Sequence, residues 1–101
     1  MNRISAVLVA SAFSMLPFAT AQAADEAKAN ALMKKEGCLR CHSVSAQKDG
    51  PAFKAVAAKY KGKADAEAAL TAHLTASKTH ATLKTKDAGE TKNLIEFILS
   101  R

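Results

Sequence analysis

Cys38-Leu39-Arg40-Cys41-His42 sets two thiols three residues apart, with an imidazole directly after the second. Side chains at that spacing lie about one helical turn from each other. Each thiol can then add to one vinyl group of a single haem, and the adjacent His can turn beneath the iron. This is the C-x-x-C-H pattern of c-type haem attachment. It assigns Cys38 and Cys41 to one covalently bound haem c and His42 to the proximal axial position. Other uses of the motif fit less well. A disulfide oxidoreductase carries C-x-x-C on a strand-to-helix unit, and the chain shows no alternating strand pattern. A structural disulfide leaves His42 without a role. A zinc site needs two ligands beyond the thiolates, and His42, His73 and His80 supply them only with quite different loop geometry.

The elements that must position this motif are thinly supplied with large side chains. The chain has 101 residues, 49% of them hydrophobic, but from Ala24 onward alanines outnumber all larger apolar residues together. So small a domain buries a modest share of its surface and usually needs a staple, metal, cofactor or partner. Length and composition exclude two domains, a multi-pass membrane protein and a Pro/Gly-rich disordered chain. Residues 1 to 23 read as a cleaved secretory signal: Arg3, an apolar stretch from Ile4 to Leu16, and the small-residue site Ala21-Gln22-Ala23. That stretch is shorter than a bilayer span and ends at Pro17. Residues 24 to 101 then form one exported domain, expected in a bacterial periplasm. Loss of Arg3 takes the formal net charge from +6 to +5, an excess that favours acidic partners. Lys59-Tyr60-Lys61-Gly62-Lys63 is the densest basic stretch, with Lys34, Lys35, Arg40, Lys84 and Lys86 as further rim candidates.

Four helical stretches are expected. The first runs from Asp25 to Glu36 and stops at Gly37, with Leu32 as its buried anchor. The second, Ala52 to Tyr60, lines up Phe53, Val56, Ala57 and Tyr60 on one stripe before Gly62. Asp65 is expected to cap the third, Ala66 to Ala76, whose inward face carries Leu70, His73 and Leu74. Asp87 and Glu90 have capping-box spacing at the start of the last, which presents Leu94, Ile95, Phe97 and Ile98 inward. Ser77 to Lys86 is a polar loop with one large apolar residue, Leu83. The fold class is therefore all-α, with too little bulk to fill a four-element bundle unaided.

From Leu32 onward the chain resembles a bacterial class I monohaem cytochrome c of the small c-551/c-552/c5 type. The resemblance rests on Lys34-Lys35-Glu36-Gly37-Cys38-Leu39-Arg40-Cys41-His42, on Gly50-Pro51-Ala52-Phe53-Lys54 with Val56-Ala57-Ala58-Lys59-Tyr60, and on Leu94-Ile95-Glu96-Phe97-Ile98-Leu99. It implies three or four helices wrapped around one haem. It also implies that the Pro51 carbonyl accepts the Nδ1 proton of the proximal His, and that first and last helices cross with Gly37 meeting Phe97. The family's sixth ligand is usually a Met ahead of the last helix, yet no Met follows Cys41. Met33 lies on the proximal side, where it is expected to pack as core. His80 occupies the corresponding loop, which points to bis-His ligation by His42 and His80. His73 is the alternative axial ligand, although a core-edge His with a satisfied hydrogen bond is the preferred reading for it. A weakly held site, or Lys78 or Lys84 at high pH, completes the options.

The expected function is that of a periplasmic one-electron carrier, not an enzyme, passing electrons to and from acidic-surfaced redox proteins. A second imidazole in place of a thioether predicts a lower reduction potential than in His/Met relatives. Nucleic acid is not an expected partner, the mature chain is not expected to insert into membranes, and a monomer is expected. The alternative is a binder or sensor of NO, CO or O2 with a displaceable His80.

Overall fold

The computed structural model describes residues 23–101. The secretory segment therefore lies, apart from Ala23, outside the described residues. Helices α1 (Glu26–Glu36), α2 (Phe53–Tyr60), α3 (Ala66–Ala76) and α4 (Ala88–Leu99) follow one another, with a short 3-10 turn at Cys38–Arg40 and no strand among the described residues. The all-α expectation holds, with helix starts displaced by a residue where the capping residue had been counted in.

Local chemistry explains these ends. Asp25 accepts the Lys28 amide at 3.0 Å and so caps α1, while Lys34 and Lys35 sit in its last turn, where cations interact favourably with the dipole. Gly37 closes the helix in the left-handed region at φ 74°, a conformation that costs glycine nothing. Asp87 caps α4 through the Glu90 amide at 3.0 Å. The return half of that capping box is relayed, because Glu90 accepts from the Thr85 hydroxyl, which in turn accepts the Asp87 amide at 3.2 Å. Asp65 makes no side-chain capping bond; its backbone (φ −93°, ψ 4°) leaves the extended geometry from which a carboxylate reaches back to the first turn.

Helix α4 is the hub and packs on each of the other three helices. Met33, Leu94 and Ile95 are completely buried, and Ala29, Leu32, Phe53, Leu83, Phe97 and Ile98 join them in the core. Each large side chain so buried contributes about 1.5–3 kcal/mol. Leu83, the lone large apolar residue of its loop, is 6% exposed and its amide bonds Leu74 O at 2.8 Å. Helix α1 crosses α4 as expected, but the small residue buried in that core with Phe97 is Ala29. The nearest atoms to a Cβ placed on Gly37 belong to Arg40, so Gly37 is required for its backbone angle and not as the partner of Phe97.

Candidate functional site

The motif follows directly from the end of α1. Gly37 turns the chain into the 3-10 turn, where the Cys38 carbonyl accepts from Cys41 N–H at 3.2 Å and from His42 N–H at 3.0 Å. This winding brings Cys38 and Cys41 onto one turn and delivers His42 just beyond it. Cys38 is half-buried, and burial pushes its thiol up from the ordinary value.

His42 is held on three sides. Its Nδ1–H donates to the Pro51 carbonyl at 2.7 Å, and because a carbonyl only accepts, the proton sits on Nδ1 and Nε2 keeps its lone pair. Phe53 stacks on the ring, with centroids 5.2 Å apart and planes 22° apart. Gly50 closes the third side: a Cβ there would fall 2.4 Å from Cε1 of His42. The segment that carries Gly50 and Pro51 is fastened back to the motif by Gly50 N–H on Cys41 O (2.7 Å), Phe53 N–H on Ser43 O (2.9 Å) and Lys54 N–H on Val44 O (3.0 Å). Periodicity places Phe53 on the buried stripe of α2, and Gly50 figures in the sequence only within the segment that carries the family resemblance. The resemblance implied the Pro51 contact with His42, which the 2.7 Å bond matches, but nothing in the sequence indicated the close approach of Gly50 to the same ring.

Across the cleft, His80 projects from the loop between α3 and α4. Its amide bonds Ser77 Oγ at 3.1 Å, and its own Nδ1–H donates to Ala81 O at 2.7 Å, which again leaves Nε2 available. The His42 and His80 rings stand 5.9 Å apart. His73 comes to 4.6 Å from His80, but it is exposed at the cleft wall, and its side chain makes no hydrogen bond among the described residues. The core-edge reading of His73 is thereby corrected: although Leu70 is buried and Leu74 packs against the core, the His73 side chain between them is exposed. Lys78 and Lys84 do not line the cleft, and Met33 is 1% exposed within the core.

The cleft has a volume of about 530 Å³ and is walled by His42, Pro51, Phe53, Val56, Leu70, Leu74, His80 and Ile98, with Lys59 and Tyr60 at its rim. A smaller cavity of about 120 Å³ continues it past His42 and His80 to Cys38 and Cys41. A larger groove of about 660 Å³ between α1 and α4 is lined mainly by charged side chains and contains none of the motif. Apolar walls, two imidazoles with free Nε2 atoms and two thiols at one end are the donor set and shape that suit a flat, apolar, iron-bearing macrocycle.

The family model for cytochrome c matches residues 26–101. The chain belongs to the cytochrome c family. It is a bacterial class I monohaem cytochrome c with a single covalently attached haem c. The crystal structure of the class 1 cytochrome MtoD from Sideroxydans lithotrophicus ES-1 is 39% identical, with a TM-score of 0.74 over 77% of this cytochrome and 97% of that one. Cytochrome c-551 of Pseudomonas aeruginosa is 51% identical over 39 residues, 39% of this chain and 38% of that protein. Cytochrome c-551 of Allochromatium vinosum is 53% identical over 45 residues, 45% of this chain and 48% of that protein. The cytochrome thus spans no more than about half the length of the curated relatives it matches.

Proposed function

We propose that this cytochrome is a periplasmic one-electron carrier whose haem is attached at Cys38 and Cys41 and ligated by His42 and His80. The haem supplies reversible ferric/ferrous exchange. The observation that carries this reading is the pairing of His42 and His80 across one cleft. Metal–imidazole bonds are about 2 Å long, so two rings facing one ion through Nε2 stand roughly 6 Å apart, and the spacing here is 5.9 Å. In both rings a backbone carbonyl accepts the Nδ1 proton, which sets the tautomer and leaves Nε2 to face a metal. Phe53, Leu70, Leu74 and Ile98 line the cleft with apolar side chains, a lining that suits an apolar macrocycle. Export by residues 1 to 23 accounts for the compartment, and no helix among the described residues is long and apolar enough to cross a membrane.

The test is the visible spectrum of the haem-loaded protein, oxidised and reduced, with and without carbon monoxide. Sharp low-spin bands that carbon monoxide does not move are expected. High-spin bands, or a prompt shift with carbon monoxide, would sink the bis-His carrier in favour of a gas-binding protein.

Acidic redox proteins are the expected partners. Lys59 is the one basic residue of its stretch at the cleft rim; Lys61 and Lys63 face a separate surface depression. Electron transfer to an acidic partner should slow by about tenfold or more between low and high ionic strength, because steering of this kind is screened by salt. A rate indifferent to salt removes that role from the lysines.

A further inference from the structure

A distal ligand is only as firm as the loop that carries it, and the segment from Ser77 to Lys86 contains no proline or tryptophan to stiffen it. Lys78, Thr79, Ala81 and Thr82 are exposed, so the loop is held at a few points only. Leu83 is one. The Thr85 hydroxyl, bonded to Glu90 of α4, is another. A third is Glu36, the last residue of α1, whose two carboxylate oxygens accept the Lys84 and Thr85 amides at 2.9 Å each, from 48 and 49 residues away. Glu36 also lines the small cavity shared by Cys38, His42 and His80.

A carboxylate in the last turn of a helix opposes the macrodipole, so Glu36 is placed against the preference of α1. Two charge-assisted bonds to consecutive amides offset that cost. The same amides, that of Lys84 foremost, hold the Glu36 carboxyl below its ordinary value despite partial burial. The bonds tie the far side of the His80 loop to the residue two before Cys38, which joins the proximal and distal halves of the site through one side chain.

We infer that Glu36 is a positioning residue for the distal ligand: by pinning the Lys84 and Thr85 amides it keeps the His80 loop closed over the cleft. The inference rests on His80 being that ligand.

Carbon monoxide binding to the ferrous holoprotein, followed by stopped flow, measures how often the distal side opens. The probe is uncharged, so removal of a charge does not by itself steer it. Glu36→Gln should bind it about tenfold faster than the unaltered protein, the effect of losing one charged hydrogen bond from the closed loop, and His80→Ala should mark the open limit. Arg101→Ala, which breaks the 2.8 Å pair with Glu26 away from the loop, should leave the rate unchanged. If Glu36→Gln matches the unaltered protein while His80→Ala is fast, the role of Glu36 is refuted and that of His80 stands. If the unaltered protein is already as fast as His80→Ala, the His80 assignment fails and takes this inference with it. Equal acceleration by Glu36→Gln and Arg101→Ala would mean general loosening and would also overturn it. Should Glu36→Gln not fold, amide exchange in the unaltered holoprotein decides: protected Lys84 and Thr85 amides support the latch, and exchange at unstructured-peptide rates rejects it.

Discussion

Replacing His80 with alanine is expected to convert a low-spin haem protein that ignores carbon monoxide into a high-spin one that binds it promptly. The size of the effect follows from occupancy. If the closed arrangement leaves the iron accessible about 1% of the time, removing the ligand speeds binding by roughly a hundredfold. His73, 4.6 Å from the His80 ring, makes this experiment more informative than a single substitution. His73→Ala alone should leave the spectrum as it was. A low-spin spectrum retained in His80→Ala, and lost only when His73 is also removed, would give the axial position to His73 instead. His80→Met should raise the reduction potential, by a fraction of the roughly 0.8 V range that axial ligands span, since a thioether favours the ferrous state.

A single methyl group on the proximal side is expected to do comparable damage. In Gly50→Ala the new Cβ would lie 2.4 Å from Cε1 and 2.8 Å from Nδ1 of His42, so either the imidazole or the Gly50-Pro51 backbone must move. Moving the backbone strains the 2.7 Å bond to Cys41 O; moving the ring breaks the 2.7 Å bond to Pro51 O and the stacking on Phe53. Overpacking of this sort costs about 1–3 kcal/mol, and here it falls on the imidazole proposed as the proximal ligand. The yield of covalently loaded protein should drop sharply, and Tm of the loaded fraction should fall. Gly62→Ala is the matched control. Its φ of 76° makes the substitution unfavourable by about 1–2 kcal/mol, but nothing lies within 4 Å of its Cβ, so stability should fall while haem attachment is unaffected. Normal loading in Gly50→Ala would contradict the view that Gly50 is there to admit the imidazole.

Much of this site was legible before any fold was known, because it is written in local spacing. Cys38, Cys41 and His42 are contiguous, and their chemistry follows from one turn of chain. The helices were equally accessible: Phe53 and Ala57, or Leu94 and Ile98, reveal a buried stripe through periodicity, and Asp25, Gly37 and Asp87 mark ends through hydrogen bonds that span a few residues. The expectation that Asp65 caps α3 failed for a related reason, since a capping residue type is common and the φ/ψ that lets it act depends on how the preceding turn is laid down. His80 was reached only through resemblance to a family whose ligand loop lies there, not through any pattern of its own.

What periodicity could not reach were contacts between segments far apart in sequence. Glu36 has the composition of an ordinary surface glutamate; only the return of the chain 48 residues later turns it into an acceptor for Lys84 and Thr85. His73 shares a helical face with Leu70 and Leu74, yet it is exposed and stands beside His80. Gly50 looks like a hinge and is a space left for a ring. Residue types and short spacings determine which chemistry is available to this cytochrome and which helices can form. Which imidazoles share a cleft, and what holds them there, was decided by packing, because such contacts depend on distances in space that no local stretch of chain encodes.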